Sequence, residues 1–506
     1  MCYIFAYLND SIKDIQKGIV SNKYSFTKIE EQIYFGFHNG LLIQYKHLSL
    51  VFNGVIYPSL TQSYSQGEMI LHLYEQFGLD SFSLLDGEFS FILYDNLKKE
   101  IVVVRDPFGV RSLYENHTKD GYMFSSVLES ILLGTNKEVS QVKPGTYSIY
   151  RFNGINFYKY VTHSYYNIRE TYDLSLTREE YMVNVYNLFE EAVIKRMRDG
   201  PVCCLLSGGL YSSLVCAIAS RYYREKDIQL HTFSIGLQDS EDLYNASIVA
   251  KHIHSIHHEV ICSEDEFINC IPYVVQNIES YDTTTIRSSV GNWLIGKYIK
   301  ENTDFKVVLN GDGADELMGG NFNFCDTNNS FHEECIRELE NIHYFDLLRS
   351  DKSMSSNKLE SRSPYLDKKF TKFYLSIPTK YRKNVVEKYF IRSIFEIMDK
   401  DILPYKILWR QKEEFSDGVS SLYNLWYKII QERLKNYKSK NALTKEQTYY
   451  KDLFTTYYPG CEHLIPYTSQ FTSIELYSRN IIYKYFYIVK HFFTGIIMNC
   501  YRQFFF

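Results

Sequence analysis

The stretch 205-LLSGGLYSSLVCAIA-219 closes an apolar run, turns through Ser207-Gly208-Gly209 and opens a helical pattern. Paired glycines let backbone approach an anion closely, and the helix that follows presents free N–H groups to it. Ser212 and Ser213 add hydroxyl donors. The run before the turn, 202-VCCLL-206, has the continuous hydrophobicity of a strand buried on both faces. The same alternation recurs: helix 179–198, strand 230-LHTFSIGL-237, a helix near 242–254, strand 257-HHEVIC-262, two further helices, then strand 306-KVVLN-310. Strands alternating with helices in this way predict an α/β doubly wound parallel sheet.

Two further loops belong to that sheet. Residues 310-NGDGADELMGG-320 follow a buried strand and therefore lie at its carboxyl edge, where such sheets bind ligands. Asp312, Asp315 and Glu316 fall within five residues. Their mutual repulsion calls for a metal or a cationic partner. Residues 409-WRQKEEFSDG-418 place Arg410 and Lys412 beside Phe415 and Gly418, and a lysine there can neutralise phosphate charge.

Upstream, residues 1–165 read mainly as strands, for example 49-SLVFNGVIY-57, 89-FSFILYD-95 and 101-IVVVRD-106, with a helical spacing at 68-EMILHLYEQFG-78. This predicts an α+β domain dominated by sheet. A polar stretch at 166–178 reads as a linker, and Thr177 with Glu180 forms a capping-box pattern ahead of the next helix. Residues after about 340 read as helical. At 506 residues the chain has room for two or three cores. Its net charge of -5 argues against a nucleic-acid partner, because no basic excess is available for phosphates. The ten cysteines form no CxxC pair, which argues against zinc. No signal peptide opens the chain, so free thiols and a cytoplasmic location are expected. The aromatic residues 481–506 are interrupted by Lys484, Lys490 and Arg502, so a packed terminal helix is expected rather than a membrane span.

With these loops and the matching stretches 278-IESYDTTTIRSS-289, 360-ESRSPYLDKKF-370 and 385-VVEKYFIR-392, the chain resembles the glutamine-hydrolysing asparagine synthetases. The resemblance implies an α+β N-terminal nucleophile-type glutaminase domain of layered sheets with helices over 1–165 and a linker at 166–178. An α/β doubly wound ATP-pyrophosphatase domain would follow over 179–435, then a helical, aromatic-rich tail over 436–506. It implies ATP-dependent amidation of aspartate through β-aspartyl-AMP, with ammonia from glutamine or from solution, in a cytoplasmic homodimer acting on small molecules. Ser207, Gly208, Gly209, Ser212, Ser213 and Gly311 would hold the nucleotide and its pyrophosphate, and Asp315 would hold Mg²⁺. Asp312 would take the ammonia proton, and Lys412 would stabilise phosphate charge. Thr284, Arg287, Lys388 and Arg392 would grip aspartate. In the first domain Cys2, freed by removal of Met1, would attack glutamine, and Asn53-Gly54 would form the oxyanion hole.

The chain departs from the family pattern at several positions. Tyr211 stands where the family loop carries Asp, and a phenol (reference pKa about 10) is a poor magnesium ligand. Tyr3 replaces a glycine, Gln66 replaces an aspartate that would pair with glutamine's ammonium, and the upstream arginine has no counterpart. Three outcomes follow: Asp315 and the phosphates carry the metal alone; Asp239 or Asp242 compensates; or the fold persists as a catalytically impaired binding or regulatory protein.

Overall fold

Alternate residues of the first strand face two different cores, and this arrangement joins the two halves of the molecule. The computed structural model describes residues 3–8, 25–30, 32–38, 42–57, 64–118, 121–132, 138–198, 200–320, 327–384, 386–410, 419–420, 425–439 and 443–465. In the first half the strands are β1 Tyr3–Leu8, β2 Ser25–Glu30, β3 Ile33–His38, β4 Leu42–Tyr45, β5 Leu48–Ile56, β6 Gly87–Asp95, β7 Glu100–Arg105, β8 Tyr114–Thr118, β9 Gly121–Ser125, β10 Val139–Gln141, β11 Thr146–Phe152 and β12 Phe157–Ser164. They form two six-stranded antiparallel sheets, ordered β10-β8-β9-β1-β3-β2 and β12-β11-β7-β6-β5-β4. Ile4, Ala6 and Leu8 point into the core between the sheets with Val51, Ile92 and Val103. Phe5 and Tyr7 point the other way, into a core shared with Phe233, Val275 and Ile286 of the second half. A strand read at period two thus packs on both faces. The outer face of the second sheet is covered by the helix Gln66–Phe77.

The second half is built on β13 Val202–Leu205, β14 His231–Leu237, β15 Ile256–Cys262, β16 Val307–Leu309 and β17 Glu360–Arg362. All pair in parallel, in the order β15-β14-β13-β16-β17. The sequence runs outward from β13 to β15 on one side, then resumes at β16 on the other. The winding therefore reverses between β13 and β16. The helix Arg178–Lys195 begins with the predicted capping box: Thr177 accepts from the Glu180 N–H, and Glu180 accepts from the Thr177 N–H. Residues 166–177 form neither helix nor strand, the helix taking the last residue of the expected linker, yet Tyr166, Ile168, Leu174 and Leu176 pack against the second-half core.

One expectation is corrected. The region after residue 340 is not helical throughout, because β17 completes the sheet beside β16. Its three residues, Glu-Ser-Arg, carry no apolar run to announce a strand; the ladder itself decides. The aromatic stretch 481–506 lies outside the described residues. Among those described, no helix is long and apolar enough to cross a membrane.

Buried ion pairs tie the halves together. Arg111 Nη1 lies 2.6 Å from Asp351 Oδ1, both side chains almost wholly enclosed. Glu88, on β6, accepts from Arg196 Nε at 3.1 Å and from the Ser363 N–H at 3.2 Å. Glu279 is paired with Lys352 at 2.7 Å and accepts from the Tyr114 hydroxyl at 2.7 Å. Removing one partner of such a pair leaves a buried charge uncompensated, which costs about 3–5 kcal/mol. Asp351→Ala is therefore expected to lower the thermal unfolding midpoint by several degrees in calorimetry. Glu432→Ala, which breaks an exposed pair with Lys435, should leave it in place.

Candidate active site

The reversal between β13 and β16 puts two loops side by side at the carboxyl edge of the sheet, the position where open parallel sheets bind ligands. After β13, Gly208 adopts φ +73°, and a Cβ there would come 2.5 Å from the Ala246 backbone nitrogen. Only glycine fits. Ser207 Oγ and Ser212 Oγ are 3.0 Å apart, and the Gly209 N–H donates to Ser207 Oγ at 3.3 Å. The helix Leu210–Arg224 then starts from Gly209 with no side chain capping its first N–H groups. Those donors face the loop. Ser213, expected among the hydroxyl donors, is fully enclosed, and its hydroxyl has no hydrogen-bond partner among the described residues.

After β16, Asn310 organises the acidic loop. Its amide donates to Ser350 and Ser361, and its carbonyl accepts from the Ser363 hydroxyl and the Asp312 N–H. Gly311 lies against the first loop so closely that a Cβ would sit 3.0 Å from the Ser212 nitrogen and 3.3 Å from Tyr211 Cβ. The two loops are in contact.

Each acid of the loop has a distinct neighbour. Asp312 Oδ1 is 3.0 Å from Arg349 Nη2, which also meets Asp346 at 2.9 Å. Burial lowers the affinity of Arg349 for its proton, but Asp312 and Asp346 outweigh it and hold the guanidinium charged. Burial and then Asp346 push the Glu316 carboxyl upward, so it tends to keep its proton. Asp315 Oδ1 is 3.1 Å from Lys388 Nζ. The same ammonium stands 4.0 Å from the centre of the Tyr211 ring. Tyr211 is 8% exposed, packs edge-on against Tyr365, and its phenolic oxygen has no hydrogen-bond partner among the described residues. Burial, then the nearby Asp315 charge, raises this phenol well above its ordinary range. It stays protonated.

These residues do not fit a resident magnesium. Tyr211, a protonated phenol, feels the Asp315 charge, and the Lys388 ammonium already stands 3.1 Å from Asp315 Oδ1 as an ion pair. Asp242 does not make up the difference: Arg410 lies 3.4 Å from it and 3.2 Å from Glu241. Asp239 is exposed beside Gln238.

The residues expected to grip aspartate do not form one cluster. Thr284 is exposed near the start of the helix Thr283–Asn302. Arg287, one turn on, makes a bidentate pair with Glu446 at 2.8 and 2.6 Å. Arg392 donates to the carbonyls of Glu387, Leu408 and Arg410. Lys388 belongs with Asp315 and Tyr211. Lys412 and Cys2 lie outside the described residues. In the first half, Asn53 is buried on β5, and Gly54 has φ +129° with no room for a Cβ beside the Glu88 carbonyl. The Gln66 side chain accepts from the Ile56 N–H at 3.0 Å and so holds the end of that strand.

Three site residues carried no local signal. Arg349, partner of Asp312, sits 37 residues downstream. Glu88 joins the strand bearing Gly54 to the loop at Ser363. Gly320 would place a Cβ 2.0 Å from Asp315 Oδ1 and 3.3 Å from Lys388 Cε. The demand of three clustered acids for cations was the one hint available.

A family model described as asparagine synthase matches residues 184–330 and 322–480, and one described as a glutamine amidotransferase domain matches residues 37–173. The chain is 38% identical over 465 residues to an asparagine synthetase [glutamine-hydrolyzing] of Cricetulus griseus, covering 82% of each. It belongs to the asparagine synthetase family. The corresponding enzyme of Homo sapiens is 37% identical over 466 residues, again 82% of each chain. Among solved structures, NMN synthetase from Francisella tularensis aligns over 59% of this chain and 100% of its own, at 10% identity and a TM-score of 0.26.

If that meeting builds the nucleotide site, Gly208→Ala should lower affinity for α,β-methylene-ATP by about tenfold or more, since it forces an unfavourable backbone and a clash. Calorimetric titration of the folded variant measures this.

Proposed function

We propose that the chain is a glutamine-hydrolysing asparagine synthetase, joining ammonia to the side-chain carboxylate of aspartate at the expense of ATP. The observation that carries this reading is the contact of Gly311 with Ser212 and Tyr211. It sets a loop rich in anion-binding N–H groups against a loop bearing a carboxylate base.

In this reading the Ser207–Gly209 turn and the first turn of its helix orient the β- and γ-phosphates. An oxygen of aspartate's β-carboxylate attacks the α-phosphorus. The bond from that phosphorus to the bridging oxygen breaks, and pyrophosphate leaves. Ammonia then attacks the acyl carbon, Asp312 accepts its proton, and the carbon–oxygen bond to AMP breaks. Arg349, 3.0 Å from Asp312 Oδ1, holds that carboxylate in place. Arg287, oriented by its bidentate pair with Glu446, would meet aspartate together with Thr284. Arg392 holds the carbonyls of Leu408 and Arg410, and Lys412, outside the described residues, would meet the phosphates. In the first half, the Cys2 thiolate would attack glutamine's amide carbon, and Asn53 with the Gly54 N–H would stabilise the oxyanion. Any magnesium would come with ATP rather than reside on the chain. A homodimer in the cytoplasm, acting on small molecules, completes the proposal and is supported by the family alone.

Purified full-length protein given ATP, magnesium, aspartate and ammonium should release pyrophosphate and AMP in equal amounts. Absence of both products would refute the synthetase reading. Replacing ammonium by glutamine should sustain the reaction, and Cys2→Ala should abolish glutamine-dependent turnover while leaving ammonium-dependent turnover intact.

A further inference from the structure

The mismatch between this site and a resident metal has a specific chemical content. Lys388 occupies an unfavourable place. It has a left-handed backbone, φ 60°, and stands as N-cap of the helix Tyr389–Met398 with no side-chain cap bond. A positive φ is disfavoured for any residue with a Cβ, and a cation at a helix N-terminus opposes the helix dipole. Its side chain is nevertheless only 5% exposed. What holds it is local: the Asp315 carboxylate at 3.1 Å and the Tyr211 ring face at 4.0 Å. Gly320 makes the approach possible, since any Cβ there would strike Asp315 Oδ1. The ring under this ammonium carries a buried hydroxyl, a donor without a partner among the described residues. An orphaned buried donor on the first helical turn after the Ser-Gly-Gly loop, with a buried cation over its ring, suits one kind of ligand, a phosphate oxygen.

We infer that Lys388 and Tyr211 form a metal-independent grip on the pyrophosphate end of the nucleotide, the lysine standing where a carboxylate-bound magnesium would otherwise neutralise charge. This inference rests on the nucleotide-site reading above and deepens it. The ammonium is shared between Asp315 and the phosphates, and the phenol donates one hydrogen bond to a phosphate oxygen. The aspartate that the family carries at 211 would repel that oxygen unless a metal intervened. A phenol does not.

The test is the metal dependence of nucleotide binding by the full chain. Affinity for α,β-methylene-ATP, measured by calorimetry in excess magnesium and again in EDTA, should differ by about threefold or less. Lys388→Met should lower the EDTA affinity by about tenfold or more, and Lys388→Arg should largely retain it. Tyr211→Asp should create a metal requirement and should bind Mn²⁺ without nucleotide, seen by electron paramagnetic resonance. The unaltered chain needs no variant for its own arm: without nucleotide it should leave Mn²⁺ free. Tight Mn²⁺ binding by the unaltered chain, or loss of its nucleotide binding in EDTA, would overturn the inference while leaving the nucleotide site standing. No binding under either condition would overturn the nucleotide-site reading and this inference with it.

Discussion

The site in the second half depends on one close contact, the backbone at Gly311 lying against the first turn of the helix that starts at Gly209. A side chain at 311 would push the loops apart. The contact exists because β13 and β16 are neighbours in the sheet although about a hundred residues separate them in the chain. Everything attached to either strand is then fixed relative to the other: the N–H donors of one loop, the carboxylates of the other, and the phenol between them. Asn310 makes the arrangement rigid by using both ends of its amide on Ser350, Ser361, Ser363 and the Asp312 N–H. A buried amide satisfied in this way resists rotation, and so the acidic loop is held in one conformation.

Charge balance is the second constraint. Three acids within five residues cannot all be buried as anions without compensation. The molecule resolves this in three ways: Arg349 for Asp312, Lys388 for Asp315, and a retained proton for Glu316 under the influence of burial and Asp346. The substitution of a phenol at 211 is consistent with this economy. Adding a fourth carboxylate to the cluster would demand a further cation, whereas a ring face supports the lysine already present.

Much of this was legible in the sequence, and the reasons are local. The Ser-Gly-Gly turn, the apolar runs before each loop, and the alternation of strand and helix are signals carried by neighbouring residues. They correctly indicated a parallel sheet with both loops at one edge. The capping box at Thr177 was readable for the same reason. What escaped was non-local. β17 is three polar residues whose strand character comes only from pairing with β16. The capture of Arg287 by Glu446 spans 159 positions, and Asp315 meets Lys388 across seventy-three. Spacing along the chain cannot announce such pairs. The cationic partner for the acids was foreseeable in kind, from their repulsion alone, but not in identity.

The central claim is that the two loops bring the α-phosphorus of ATP and the β-carboxylate of aspartate together for direct transfer. Isotopic labelling tests it. With aspartate carrying ¹⁸O in its side-chain carboxylate and ammonium as nitrogen donor, the carboxylate oxygen that attacks phosphorus remains with AMP when ammonia displaces it. Mass spectrometry should therefore find one ¹⁸O in each AMP formed. AMP free of label, or label appearing in pyrophosphate or free phosphate, would contradict the account.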